Sequence, residues 1–256
     1  MALLDIQGVT KRFGGLLAND AISFAVPEGS LFAVIGPNGA GKTTLFNAIS
    51  GFFPPTSGRI KFDGQDVTGL PQAAIAQRGL IRTYQLVQLF KDLTVAENVH
   101  VGFHRITTGN AGAALLRAGG FRRQEEKIRD ETRNLLTFVG LGNRADVQAD
   151  TLPYGQQRLL EVARALAAQP RLLLLDEPAA GLNTQETDAL ADVIRRINAR
   201  GITVVLIEHD MGLVMKVAQR IAVLDFGRKI AEGTPAEIRS DPDVIAAYLG
   251  TETEHA

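Results

Sequence analysis

The chain has 256 residues, a hydrophobic fraction of 45% and a formal net charge of -1. That length suits one large domain, or one domain with a subdomain. The near-neutral balance leaves no global case for nucleic acid or an anionic membrane held by bulk charge. The absence of cysteine excludes disulfides and thiolate metal sites. Met1 to Gln7 lacks a basic segment and a long apolar stretch, so no signal peptide is expected. No apolar run reaches the roughly 18 residues that a bilayer span needs, so any membrane role must come through a partner.

Leu4 to Val9, Ala21 to Val26 and Leu31 to Ile35 read as short strands, with a turn at Pro27-Glu28-Gly29. Phe13, just before Gly14-Gly15, either packs in the core or stacks on a flat base. The third strand runs into Gly36-Pro37-Asn38-Gly39-Ala40-Gly41-Lys42-Thr43-Thr44, and Lys42 onward reads as a helix. This is the phosphate-loop pattern in the strand–loop–helix context it requires. Its glycines let the backbone curl into a nest of N–H donors, and the helix dipole points its positive end at the same place. Lys42 can bridge β- and γ-phosphates, and the Thr43 hydroxyl can ligate Mg²⁺.

Gly51 to Gly58 is a loop. Arg59 to Gly64 alternates and predicts an edge strand and turn. Pro71 to Arg78 is a short helix, and Leu80 to Tyr84 a strand ending at Gln85, a residue type that is usually on the surface. Thr94 and Glu97 form a capping-box start for a helix to about Phe103. Residues 105–121 are weakly patterned and predict a loop or a loosely held helix. Arg117, Arg122 and Arg123 make a small basic cluster there, either a solvated face or a contact for lipid headgroups or an acidic partner. Gln124 to Val139 is an amphipathic helix.

Thr151 to Arg158 opens the next helix, with Pro153 suited to its first turn. Four leucines, Leu172 to Leu175, then read as a strand buried on both faces of a parallel sheet, followed at once by Asp176-Glu177. Thr187 to Asn198 is a helix. Ile202 to Ile207 is a second buried strand and leads into Glu208-His209-Asp210. Met211 to Ala218 is a helix, Ile221 to Leu224 and Lys229 to Ala231 form a hairpin turning at Gly227, and Asp243 to Leu249 is a last helix.

Three apolar strands thus end abruptly in polar groups: the phosphate loop, Asp176-Glu177 and His209. Strands alternating with helices predict an α/β fold with a parallel sheet covered on both faces. In such sheets ligands bind beyond the carboxyl ends of the strands, so all three groups are expected around one γ-phosphate. Phosphoryl transfer needs positive poles at the phosphoryl oxygens and an in-line water. Asp176 would hold Mg²⁺ through its water shell, Glu177 would orient or deprotonate the water, and His209 would bond the γ-phosphate or that water.

On these residues the chain resembles the ATP-binding subunits of ABC transporters over nearly its whole length. The resemblance implies a P-loop NTPase (RecA-like) core with an antiparallel β subdomain and a helical subdomain. It implies core residues 1–86 and 160–235, a helical subdomain at 87–159, and a C-terminal helix and tail at 236–256. Phe13 falls at the adenine-stacking aromatic, Gly36 to Thr44 at Walker A, and Gln85 at the Q-loop glutamine that contacts Mg²⁺ and senses the membrane partner. Leu172 to Glu177 falls at Walker B, Ala180 to Asn183 at the D-loop, and His209 at the switch histidine. The signature reads Leu152-Pro153-Tyr154-Gly155-Gln156 where Leu-Ser-Gly-Gly-Gln is usual. The serine hydroxyl is lost, but the Gly155 N–H and the helix N-terminus can still serve the opposite subunit's ATP, since those donors belong to the backbone. Asn183 stands where aspartate is commoner.

These variants, and the run Arg82-Thr83-Tyr84-Gln85, look like the branched-chain amino-acid importers, and the longer segment around 105–123 looks like the larger of that system's two ATPase subunits. The resemblance implies ATP and Mg²⁺ as cofactors, and permease subunits, a second ATP-binding subunit and indirectly a solute-binding protein as partners. No nucleic acid is expected. The place implied is the cytoplasmic face of the cell membrane, held through the permease. An ATPase of an exporter of lipid or polysaccharide shares every catalytic residue and is the first alternative. A soluble ABC ATPase without a transport role is the second.

Overall fold

The computed structural model describes residues 1–103 and 118–249. A six-stranded sheet forms its centre, built from β3 (Leu31–Ile35), β6 (Leu80–Arg82), β7 (Leu172–Asp176), β8 (Thr203–Ile207), β9 (Arg220–Asp225) and β10 (Arg228–Gly233). The spatial order is β10-β9-β3-β8-β7-β6. All neighbours run parallel except the β9–β10 hairpin. Every residue of β3, β7 and β8 is buried, as expected when helices cover both faces of a parallel sheet.

The period of two divides these strands between two cores. Leu31, Ala33, Ile35, Leu173, Leu175, Val204 and Leu206 face one side, where α5 (Tyr154–Ala167), α6 (Thr184–Ala199) and α7 (Met211–Val217) supply Leu160, Leu190, Ile194 and Leu213. Phe32, Val34, Leu172, Leu174, Val205 and Ile207 face the other, against Leu45, Phe46 and Ile49 of α1 (Lys42–Ile49). Truncating one such fully buried leucine to alanine typically costs about 2–5 kcal/mol.

The second core is closed by a four-stranded antiparallel sheet, order β2-β1-β4-β5. Its strands are β1 (Ala2–Phe13), β2 (Leu16–Pro27), β4 (Ser57–Phe62) and β5 (Gln65–Asp66). Phe24 of β2 stacks on Phe32 of β3 with ring centroids 5.2 Å apart, which joins the two sheets. The β4 strand is not an edge as its alternation predicts, because the two-residue β5 pairs along its outer side. Both β1 and β2 run longer than the apolar patterns indicate, since polar residues such as Lys11 and Asn19 still pair across the ladder.

The short α2 (Gln72–Gln77) precedes β6. The capping box at Thr94 and Glu97 forms as predicted and starts α3 (Val95–Gly102), but residues 86 to 93 before it are not helical. The amphipathic helix α4 spans Ala118–Phe138 and buries Ile128 and Leu136. Most of the weakly patterned 105–121 stretch, including Arg117, lies outside the described residues. Pro153 is the N-cap of α5, one place before the predicted first turn, and its carbonyl accepts from the Gln156 and Gln157 amides at 2.9 and 3.0 Å. Asn183 caps α6 in a capping box with Glu186, so that helix starts three residues earlier than its apolar stripe implies. A helix that periodicity missed, α8 (Pro235–Ser240), is set by the Thr234–Glu237 capping box, and α9 (Pro242–Leu249) follows it.

Candidate active site

Strand register gathers the site. Val34 and Asp176 both pair with Ile207, and Arg82 pairs with Leu174. The carboxyl ends of β3, β6, β7 and β8 therefore form one edge. The phosphate loop leaves this edge at Gly36, where φ is +149° and a Cβ would overlap the Leu224 carbonyl oxygen. It enters α1 at Gly41, a left-handed N-cap with φ +92° and no side-chain cap, where a Cβ would strike the Ala18 carbonyl. Only glycine satisfies both positions. Asn19 Nδ2 donates to Gly41 O at 3.0 Å and the Gly227 amide to Ala40 O at 3.2 Å, so the antiparallel sheet and the β9–β10 hairpin hold the loop from outside.

Lys42 is only 6% exposed. Its Nζ donates to Gly36 O at 2.7 Å and Pro37 O at 2.9 Å, so the loop folds around its own lysine. Burial lowers the Lys42 pKa, and the Glu177 and Glu208 carboxylates oppose that shift. The loop lines a cleft of about 370 Å³ with residues Asn38 to Thr44, Leu16 to Ala18, Glu177, Phe226 and Gly227.

Asp176 closes β7 and is 2% exposed. Its Oδ2 accepts from Arg82 Nη2 at 2.6 Å, while Arg82 Nη1 donates to Asn47 Oδ1 and Ser50 Oγ, both at 2.8 Å. Asp176 Oδ1 is buried with no partner, and a buried acceptor of this kind calls for a ligand. Hard oxygen donors, Asp176 Oδ1 and the cleft-lining Thr43 hydroxyl, fit Mg²⁺ supported by waters and phosphates. Among the described residues no cluster of three or more acidic or histidine ligands exists, so the protein alone offers no full metal cage.

Glu177 sits at φ +45°, a conformation that costs a non-glycine residue of order 1–3 kcal/mol and marks functional positions. Its amide donates to Ile207 O at 3.0 Å. Its Oε2 accepts from Gln85 Nε2 at 2.7 Å and lies 3.8 Å from His209 Nδ1. The predicted residues Lys42, Asp176, Glu177, His209 and Gln85 therefore converge on one edge of the sheet.

Two predicted groups stand apart. Phe13 does not line the cleft; it packs edge-on to Phe53 with centroids 5.4 Å apart, and Lys11 Nζ lies 5.0 Å from its ring centre. Tyr154, Gly155 and Gln156 open α5 outside the cleft. The Tyr154 ring lies close over Gly181, and Gly155 abuts Glu186.

Motif reading missed two buried carboxylates. Glu208 is fully buried and accepts from the amides of Ala179, His209 and Asp210 at 2.8, 3.1 and 3.2 Å. It thereby fixes the segment after Glu177 to the segment carrying His209. Burial raises its pKa against those three bonds. Glu161 pairs with Arg158 inside α5, at 3.0 Å and about 2% exposed or less on both sides, and burial also raises its pKa. The signal for both was a charge inside an apolar run: Leu160-Glu161-Val162, and Ile207-Glu208 at a strand end.

A family model described as ABC transporter matches residues 19–180, and one described as branched-chain amino acid ATP-binding cassette transporter matches residues 228–254. The high-affinity branched-chain amino acid transport ATP-binding protein BraF of Pseudomonas aeruginosa is 48% identical over 97% of this chain and 98% of its own. Its counterpart LivG of Escherichia coli is 45% identical over the same shares. Among solved structures, the ADP conformation of MJ1267, an ATP-binding cassette of an ABC transporter, superposes with a TM-score of 0.85 at 32% identity, covering 98% of this chain and 99% of that one. A dimeric post-hydrolysis state of the cassette MJ0796 bound to ADP and Pi gives 0.76 at 25% identity, covering 91% and 98%. With its phosphate loop, glutamate and histidine on one sheet edge and such relatives along its length, the chain belongs to the ABC transporter family, among the branched-chain amino-acid transport ATP-binding proteins.

Proposed function

We propose that the chain binds ATP with Mg²⁺ in the phosphate-loop cleft and hydrolyses it to power uptake of branched-chain amino acids through permease subunits. The convergence of Gln85 and His209 on Glu177, beside the wrapped Lys42, carries this reading. The loop amides from Gly36 to Thr44 and the α1 dipole cradle the phosphates. Lys42 exchanges its two carbonyl contacts for phosphate oxygens, which favour the charge that burial disfavours. Thr43 and Asp176, with Gln85 nearby, would hold Mg²⁺; Arg82 occupies Asp176 Oδ2 and leaves Oδ1 without a partner, so that Oδ1 would serve the ion. When bound, the ion neutralises charge developing between the phosphates. Glu177 takes up or orients the proton of the attacking water. The His209 ring, 3.8 Å from the Glu177 carboxylate, steadies the same water or the γ-phosphate.

Phe13 joins the site by leaving Phe53 and stacking on adenine, a rotamer change of the kind ligands commonly select. Tyr154, Gly155 and Gln156 meet the ATP of a second ATP-binding subunit, so two sites form when two subunits close. Residues 1–86 and 160–235 act as the nucleotide-binding core, 87–159 as the helical subdomain, and 236–256 as a C-terminal element. A groove of about 420 Å³ between β6, α3 and α5, with Tyr84, Leu89, Phe90 and Val101 in its lining, accepts a cytoplasmic loop of the permease. Among the described residues no helix is long and apolar enough to cross a membrane, so attachment goes through that groove. A solute-binding protein delivers the amino acid to the permease.

The test is uptake of radiolabelled leucine by cells that lack their own cassette and carry this chain with its permease. The wild-type chain restores uptake and Lys42→Ala does not. Equal uptake with both would contradict the reading.

A further inference from the structure

Arg158 has no part in the phosphate chemistry, yet it is buried to 1% and touches both ends of the site. Its Nη1 donates to Tyr84 O at 2.9 Å and its Nη2 to Gln85 O at 2.7 Å. The same two nitrogens reach Glu161 Oε2 at 3.0 Å and the Tyr154 hydroxyl at 3.2 Å. Glu161 Oε1 in turn accepts from the Tyr84 amide at 3.4 Å. The backbone at Tyr84 and Gln85 is therefore gripped from the signature helix through a carbonyl pair and one amide. Beyond it, the Gln85 side-chain Nε2 donates to Glu177 Oε2 at 2.7 Å.

Burying an ion pair of this kind contributes little net stability, because desolvation offsets the attraction. Its value lies in geometry. A forked guanidinium can bond several acceptors in fixed directions, which an ammonium cannot. One side chain thus joins the exposed signature tyrosine to the glutamine that contacts the catalytic carboxylate.

We propose that Arg158 is a positioning residue for Glu177: it fixes the Gln85 backbone to α5, so that movement of Tyr154 shifts the Gln85 amide on the Glu177 carboxylate. This rests on the ATPase reading above. A signature segment engaged by the partner subunit's nucleotide would then set the geometry at its own chain's glutamate through three consecutive contacts: Tyr154 to Arg158, Arg158 to Gln85, and Gln85 to Glu177.

The test measures ATP affinity, turnover and thermal unfolding of the full-length chain carrying Arg158→Lys, the paired change Arg158→Met with Glu161→Met, and Tyr154→Phe. Arg158→Lys keeps the charge opposite Glu161, the paired change leaves no buried charge unmatched, and Tyr154→Phe removes one bond from an exposed ring. ATP affinity should stay within about twofold of wild type while turnover falls about tenfold in the first two and about twofold in the third; added to Gln85→Ala, none of them should lower turnover below that of Gln85→Ala alone, because groups acting as a unit are non-additive. Unchanged turnover in the variants that fold, a loss that multiplies with that of Gln85→Ala, or a fall in affinity matching the fall in rate would overturn the proposal. A wild-type chain that neither binds nor hydrolyses ATP would overturn it together with the reading beneath it.

Discussion

Two helix N-termini in this chain are suited to meet phosphate, and they are built in opposite ways. The start of α1 is complete within one chain. Its N-cap is a glycine at φ +92°, its lysine is held by two loop carbonyls, and neighbouring strands brace it. The start of α5 is not. Pro153 caps it, Tyr154 is 42% exposed, Gly155 is buried against Glu186, and Gln156 Oε1 is buried with no partner. The first is a finished binding site, and the second is, on the proposed reading, a surface whose ligand arrives on another molecule. Turnover should therefore depend on both ends and nucleotide affinity on only one.

Lys42→Ala strikes the finished half and should have the largest effect. Loss of a charged donor to phosphate costs about 1.5–3 kcal/mol, roughly tenfold to a hundredfold in ATP affinity, and titration calorimetry would read it. Gly155→Ala strikes the unfinished half, because its Cβ meets Glu186. Turnover at high protein concentration should fall about tenfold while the affinity of the dilute chain for ATP stays put; a parallel drop in affinity would place the signature in the chain's own cleft. Phe13→Ala should weaken ATP binding about fivefold, the lower range of a base–aromatic stack. An unaltered affinity would return Phe13 to its packing with Phe53 alone.

The smallest effect concerns pH. Burial raises the Glu208 pKa in the folded chain, so the folded state binds its proton more tightly than the unfolded state. Its contribution to stability is full below the ordinary carboxylate range and is lost as pH rises through the raised value. Glu208→Gln removes that dependence. Relative to wild type, the variant's unfolding temperature should rise as pH increases above the ordinary carboxylate range. A difference that is flat or falls with pH would mean that Glu208 does not carry this shift.

The finished half was legible in the sequence because its chemistry is local. Nine consecutive residues, Gly36 to Thr44, specify the nest, the lysine and the hydroxyl, and the largely apolar strands before Gly36, Asp176 and Glu208 announce their own burial. The edge that joins Asp176 to Lys42 followed from the rule for parallel sheets. The long-range polar contacts were not legible. Arg82 bonding Asp176, Glu208 bonding Ala179, and Arg158 bonding Tyr84 and Gln85 span between 29 and 94 residues of chain, and no period or spacing encodes such pairs. Helix starts set by Asn183 and Thr234 were missed for a different reason. Their capping boxes precede short or polar first turns, where apolar periodicity has no signal.

The most direct measurement concerns Glu177→Gln, with ATP and Mg²⁺ present, followed by light scattering and by phosphate release. The amide keeps the shape of the carboxylate but cannot take a proton from water, a loss worth about a hundredfold or more in rate. The account predicts a stable ATP-bound dimer that releases phosphate at that reduced rate. Turnover equal to wild type, or tight ATP binding by a chain that stays monomeric at every concentration, would contradict it.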